Sequence, residues 1–271
     1  ITNIGTCHLE NLGDRDGVLK AKTEIFQSMK PNGHIVLNRD HYKLITVREY
    51  NCVKPVFCGL NSERDVYADQ IESKGLKGFA CRIHLGEDAF DVLVPTPGIH
   101  MVYNALAAAA VGRIYGLTIE EIRRGIESLE TIRGRFKMIE TDKFLVVDDC
   151  YNANPMSMKA SLDVLHDGEG RRVAILGDMG ELGEDEAALH EGVGIHAATC
   201  GIDACVWVGD MDVYIAEAAR KANPDFPVYY EKTRESLLEH LNDYVQKGDT
   251  ILVKASHFMK FEEVVKALEE M

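Results

Sequence analysis

From residue 144 to the C-terminus, short apolar runs alternate with longer amphipathic ones, and this alternation limits the fold more than any other feature. Strands are predicted at 144–148, 173–176, 204–208, 228–230 and 250–253, and helices at about 155–166, 185–199, 212–222, 233–246 and 259–270. A strand that is followed by a helix and then another strand returns as a parallel neighbour, almost always through a right-handed crossover. Repetition of that unit gives a mostly parallel, Rossmann-like sheet covered on both faces, an α/β class domain. In such sheets ligands bind beyond the carboxyl ends of the strands. Here those ends are Asp148-Asp149, Gly177-Asp178, Gly209-Asp210 and Lys254-Ala255-Ser256, a polar and largely acidic set.

The first half reads differently. Residues 1–4 are predicted as a short buried strand, and Asp14 or Asp16 as the cap of a helix running to about Met29. A strand is predicted at 34–38. Runs at 56–59, 66–71, 78–85 and 90–94, separated by glycines, predict a small antiparallel patch. A helix at 100–115 is apolar nearly all round and is expected to be buried. Thr118 and Glu121 have capping-box spacing for a helix to about Leu129. The junction is placed after Arg133-Gly134-Arg135, giving domains 1–137 and 138–271.

Charge and cysteine usage narrow the function. A net charge of −14 with no basic stripe argues against nucleic acid as a partner. No apolar run approaches the roughly 20 residues a membrane helix needs, and no signal peptide is legible. Seven scattered cysteines without a C-x-x-C pair predict neither a disulfide framework nor a thiolate zinc site. A reducing cytoplasm fits best.

One residue breaks the helical pattern after Asp16. At 100° per residue Val18, Ala21, Ile25, Phe26 and Met29 form an apolar stripe, and Lys22 falls in its middle. The ordinary explanation is a snorkelling lysine with its ammonium in water. The alternative is a lysine aimed into a site.

The run Thr2-Asn3-Ile4-Gly5-Thr6-Cys7-His8-Leu9-Glu10, followed by Lys20-Ala21-Lys22, resembles the stretch of the Mur ligases, ATP-dependent peptidoglycan enzymes, that carries a metal-binding histidine and a carbamylated lysine. That resemblance implies His8 as a Mg²⁺ ligand and Lys22, as a carbamate, supporting the same metal. Gly98-Ile99-His100-Met101-Val102-Tyr103-Asn104 resembles the family helix near the adenine of ATP; Met101 stands where an amide is usual, so only Asn104 is carried over. Arg135 matches the arginine that reaches the ATP phosphates, and Asp149 the carboxylate that meets the nucleotide ribose, leaving Asp148 a structural role. The continuation Tyr151-Asn152-Ala153-Asn154-Pro155, and Lys254-Ala255-Ser256, resemble the family member that adds a dipeptide. They imply Asn152, Asn154 and Ser256 as substrate-binding residues. In the second motif Ala255 and His257 replace a usual glycine and arginine.

The implied reaction joins D-Ala-D-Ala to UDP-MurNAc-tripeptide through an acyl phosphate, with ATP and Mg²⁺, in a cytoplasmic monomer. The fold implied is the rear part of a central ATP-binding α/β domain followed by a C-terminal domain. No G-x-x-x-x-G-K-[ST] phosphate loop occurs and the chain opens at Ile1 without Met, so further N-terminal sequence is expected and the 271 residues alone are expected to be inert. Two alternatives stand beside this reading. One is another Mur ligase or a folylpolyglutamate synthetase-like ligase. The other is a phosphoacceptor receiver-like signalling domain, with Asp210 as acceptor.

Overall fold

Backbone pairing sorts the chain into two sheets, one in each of two units, Ile1–Glu130 and Thr131–Met271. The computed structural model describes residues 1–5 and 9–271, the side chains of Asp212 and Val213 excepted. The first unit contains α1 (Leu9–Leu12), α2 (Arg15–Thr23), β1 (Val36–Asn38), β2 (Val56–Gly59), β3 (Val66–Ser73), β4 (Phe79–Leu85), β5 (Asp88–Val94), α3 (Ile99–Ile114) and α4 (Ile119–Glu127). Its strands lie in the order β1-β2-β3-β4-β5. Only β3, β4 and β5 form the expected antiparallel patch; β2 runs parallel to both β1 and β3. One face of α3, carrying Val102, Ala105, Leu106 and Ala109, packs with Ile83, Val92 and Val94 of the sheet. The larger of these side chains, the valines, Leu106 and Ile83, each contribute about 1.5–3 kcal/mol when fully buried. The opposite face of α3 is open, with Ile99 and Val111 each 44% exposed, so its apolar surround did not imply full burial. Thr118 and Glu121 form the capping box that opens α4.

Two local expectations fail for identifiable reasons. Residues 1–4 are not a strand, although Ile1 donates its amine to the Val36 carbonyl at 2.8 Å and Ile4 is fully buried. The helix after Asp14 stops at Thr23 and tightens into a 3₁₀ turn, Glu24–Ser28. Three residues per turn break the 100° periodicity, and Ile25 is turned out, 68% exposed.

The second unit contains β6 (Lys137–Glu140), β7 (Leu145–Asp148), α5 (Pro155–His166), β8 (Arg172–Gly177), α6 (Glu186–Thr199), β9 (Ala204–Val208), α7 (Asp212–Ala222), β10 (Val228–Glu231), α8 (Arg234–Tyr244), β11 (Thr250–Lys254) and α9 (Glu262–Glu270). The sheet order is β10-β9-β8-β11-β7-β6, parallel except for β6, which pairs antiparallel with β7 at the edge. Alternate residues Val146, Val173, Ile175, Val206, Val208, Ile251 and Val253 face α8 and α9 through Leu237, Leu241, Val264 and Leu268. On the other side α5 packs on β8 and β11. The chain winds outward from β7 through β8, β9 and β10, then returns to insert β11 between β8 and β7. That reversal makes a switch point at β11, where a doubly wound sheet opens a crevice at its carboxyl edge.

The observed unit border lies at Glu130/Thr131 rather than at 137/138. The Gly134 amide donates to the buried Asp148 carboxylate at 2.8 Å, and the Gly134 carbonyl accepts from the Tyr151 amide at 2.9 Å. These bonds tie the Arg133-Gly134-Arg135 segment to the second sheet. Among the described residues no helix is long and apolar enough to cross a membrane, and the described cysteines are free thiols.

Candidate active site

The carboxyl edge of the second sheet is organised by two adjacent aspartates, Asp148 at the end of β7 and Asp149 immediately after it, and they do different work. Asp148 is 2% exposed. It accepts from the amides of Gly134 at 2.8 Å and Cys150 at 3.4 Å, a structural role. Burial, and Asp148 beside it, push the Cys150 thiol well above its ordinary range, which keeps it protonated and unreactive. Gly134 adopts φ +75°, a conformation that side-chain-bearing residues rarely take. That turn sends Arg135 outward, its guanidinium 3.9 Å from the centre of the Tyr151 ring. The Tyr151 ring lies 5.6 Å from that of His257. A cavity of about 170 Å³ opens here, lined by Arg133, Gly134, Asp148, Tyr151, His257 and Glu262 among others. An exposed guanidinium steadied on an aromatic face is suited to a phosphate or carboxylate.

Asp149 points to the other side and meets Lys254, the last residue of β11. The Lys254 ammonium donates to Asp149 Oδ2 at 2.6 Å, to the Asn152 carbonyl at 3.0 Å and to the Asp149 carbonyl at 3.4 Å. The lysine side chain is 3% exposed and that of Asp149 is 16% exposed. Ser161 Oγ, in the second turn of α5, donates to the same carboxylate oxygen at 2.8 Å. Lys254 was legible only as part of a motif. Its partner lies 105 residues away, a distance over which no local pattern operates.

Asn152 and Asn154 lie in the loop between β7 and α5. The Asn152 side chain accepts from the Ala153 amide at 2.9 Å. Asn154 is the N-cap of α5: its Oδ1 accepts from the Ser157 amide at 2.9 Å, while the Asn154 amide donates to Ser157 Oγ at 3.1 Å. Capping therefore engages the side-chain oxygen of a residue expected to bind substrate. Asn154→Ala should cost about 1 kcal/mol in a urea titration, whereas Asn154→Ser should leave stability nearly unchanged. If Asn154→Ser also leaves substrate affinity unchanged, capping is the whole role of this residue. Ser256, 4% exposed, accepts from the Gly180 amide at 2.8 Å and donates its own amide to the Asp178 carbonyl at 3.2 Å. It joins the loops after β11 and β8.

The neighbouring strand ends are equally fixed. Asp178 accepts from Trp207 Nε1 at 3.0 Å and from the Asp210 amide at 2.7 Å. Gly209, at φ +135°, lies so close that a Cβ there would sit 2.2 Å from the Asp178 carboxylate. His190 is fully buried, accepting from the Met179 amide at 2.9 Å through Nε2 with Nδ1 facing the Glu186 carbonyl at 2.8 Å. Numbered from β7, the parallel strands have the order 4-3-2-5-1, not the 2-1-3-4-5 order of flavodoxin-like receivers. Asp210, the acceptor expected on that alternative, is ion-paired with Lys232 at the edge of the sheet. The signalling reading is not supported by this topology.

In the first unit Lys22 is half-buried, and its ammonium donates to the Asn3 carbonyl at 2.9 Å and the Asn3 side chain at 3.4 Å. It is neither a solvent-directed snorkel nor a fully buried amine. Arg15 donates to the next carbonyl, that of Ile4, at 3.0 and 3.2 Å, so two cations grip this segment. His8 lies outside the described residues. Among the described residues no three His, Cys, Asp or Glu side chains gather as a metal site. Asn104 is exposed on α3, its amide 3.4 Å from Met101 Sδ, which excludes a buried amide satisfied by backbone. The adjacent Tyr103 donates to Asp40 at 3.2 Å, and burial together with that carboxylate pushes its phenol up to about 12. The structure thus brings Arg135, Asp149, Asn152, Asn154 and Ser256 to one edge of the second unit.

Comparison with known proteins agrees with this architecture. Residues 1–112 match the Mur ligase middle domain, and residues 134–257 match the Mur ligase, glutamate ligase domain. The UDP-N-acetylmuramoyl-tripeptide--D-alanyl-D-alanine ligase of Bacillus subtilis is 35% identical over 100% of this chain and 58% of its own length. A crystal structure of MurF from Acinetobacter baumannii superposes with TM-score 0.88 at 30% identity, covering 99% of this chain and 58% of that one. MurF ligase from Thermotoga maritima in complex with ADP gives TM-score 0.80 at 25% identity, with 99% and 60% covered. The chain thus spans somewhat over half the length of the relatives it matches. With both of its units matched, from Ile1 into the loop after β11, this chain belongs to the Mur ligase family.

Proposed function

We propose that the chain carries the middle and C-terminal domains of a cytoplasmic, ATP-dependent ligase that joins D-Ala-D-Ala to UDP-MurNAc-tripeptide in peptidoglycan synthesis. The observation that carries this reading is the segment of residues 149–155. It combines the Tyr151-Asn152-Ala153-Asn154-Pro155 run with a carboxylate fixed by Lys254 at the switch point of the sheet. The 35% identity to the Bacillus subtilis ligase across the whole chain supports the same substrates. ATP would supply the phosphoryl group that turns the tripeptide carboxylate into an acyl phosphate, which the dipeptide amine then attacks.

On this reading the exposed Arg135 guanidinium offers a planar fork of N–H donors to phosphate oxygens. Asp149 has Oδ2 committed to Lys254 and Ser161, leaving Oδ1 for a ribose hydroxyl. Asn104, exposed on α3, offers amide donors and an acceptor to an adenine edge. Asn152, Asn154 and Ser256 border the position proposed for the dipeptide. His8 and a carbamylated Lys22 are proposed to hold Mg²⁺. As placed, the Lys22 nitrogen acts as a hydrogen-bond donor to Asn3.

The test is a substrate panel on the complete gene product. ADP and phosphate release should require UDP-MurNAc-tripeptide and D-Ala-D-Ala together. Release that depends on a single amino acid, or on a folate, would move the chain to another member of the family. Arg135→Ala should lower kcat/KM by about 10²-fold, the scale of losing one donor to developing negative charge.

A further inference from the structure

Lys254 has a geometry that the proposed roles do not yet use. It ends the central strand of the switch point, is almost wholly buried, and spends its hydrogen bonds on one short stretch of chain: the Asp149 carboxylate, the Asp149 carbonyl and the Asn152 carbonyl. A lysine is rarely buried to this degree unless its charge is paired. A single surface ion pair would need neither the burial nor the second and third acceptors. Three bonds from one ammonium fix both ends of residues 149–152. Ser161 braces the same carboxylate from α5. The Asp149 amide donates to the Val253 carbonyl at 3.1 Å, so the loop is also anchored to the backbone of the strand that carries the lysine.

We propose that Lys254 is a positioning residue for the ligase reaction, holding the Asp149 carboxylate and the Asn152 carbonyl in the arrangement that binds nucleotide and dipeptide. The inference rests on the function proposed above and deepens it. Lys254 touches neither substrate on this account; it acts through Asp149. Its ammonium consumes Oδ2, so Oδ1 is the oxygen turned to the ligand. It also aims the Asn152 backbone by drawing its carbonyl inward. A loop displaced by about 1 Å can cost on the order of 10²-fold in rate.

The experiment is a double-mutant cycle on the complete gene product, assayed at a temperature where circular dichroism shows each variant folded. Lys254→Met should lower kcat/KM by about 10²-fold. In an Asp149→Asn background, where the carboxylate is gone, the same substitution should cost less than about 3-fold, because coupled residues are not additive. A lysine needed only for folding would give losses that multiply, and that outcome overturns the proposal. Should Lys254→Met fail to fold, Lys254→Arg decides instead. It keeps the charge but replaces a compact ammonium with a wide fork. A several-fold loss that disappears with Asp149→Asn supports positioning; an unchanged kcat/KM overturns it. An inactive wild type under all substrate combinations would instead defeat the proposed function, so the two failures are distinguishable.

Discussion

Trp207→Ala is expected to destabilise the second unit by about 3–5 kcal/mol, the range for deleting a large aromatic from a packed interior. Trp207 is the only tryptophan in the chain and is fully buried in the middle of β9, paired with Leu176 of β8 and Tyr230 of β10. Its ring meets His190 edge-on, with centroids 5.8 Å apart. Deletion leaves a cavity between β9 and α6, and β9 is held by ladders on both sides and cannot close in. A second loss adds to the first, because the indole N–H donates to Asp178 at 3.0 Å. Trp207→Phe separates the two effects. It keeps most of the volume and removes the donor, so it should cost about 1–3 kcal/mol. Both variants lack the tryptophan fluorophore, so the comparison belongs in urea titrations followed by circular dichroism. A loss below about 1.5 kcal/mol for Trp207→Ala would mean that β9 relaxes into the space.

The same residue shows why parts of this fold were legible and others were not. Trp207 lies in a run, Ala204 to Val208, that is apolar on both faces, and its five-residue length and valine and tryptophan content mark it as an interior strand of a covered sheet. Interior strands announce themselves in this way, so β7, β8, β9 and β11 could be read directly, and the edge strand β10 was legible from its place in the strand–helix alternation. β6 could not. Lys137-Met138-Ile139-Glu140 is a half-exposed edge whose apolar content is two residues, and its antiparallel pairing with β7 has no local signature. Pairing direction in the first unit was hidden for the same reason. The runs in β2 and β3 were visible, but whether each neighbour runs with or against it is decided by long-range partners.

The candidate site divides along similar lines. Asp149 and Asp148 could be given separate roles because a family pattern distinguished them, and the buried bonds of Asp148 agree. Asn154 shows the limit. An asparagine immediately before a proline at a helix start is an N-cap signal as well as a motif residue, and the structure shows the cap. Ile25 shows another limit. Its place on an apolar stripe assumed 3.6 residues per turn, and the helix tightened one residue before it.

Removing the charge at Lys254 is the second large effect expected. Dehydrating an ammonium and a carboxylate is unfavourable by several kcal/mol each, and their mutual attraction offsets this only while both are present. Lys254→Met leaves the Asp149 carboxylate with Ser161 as its remaining side-chain donor and leaves the Asn152 carbonyl without the ammonium it faced. The general cost of such a broken pair is about 3–5 kcal/mol. Here the lysine side chain is 3% exposed but the aspartate side chain is 16% exposed, so water can reach the surviving charge and the loss should fall near 3 kcal/mol. The double variant Lys254→Met with Asp149→Leu removes both charges and should be more stable than Lys254→Met alone, measured as the free energy of urea unfolding. It should also be inactive, since the carboxylate proposed to face the ribose is gone. An inactive double variant at least as stable as the wild type would show that the ion pair is kept for where it puts Asp149. If the double variant were clearly less stable than the wild type, the pair would instead be contributing net stability, and its retention would need no appeal to function.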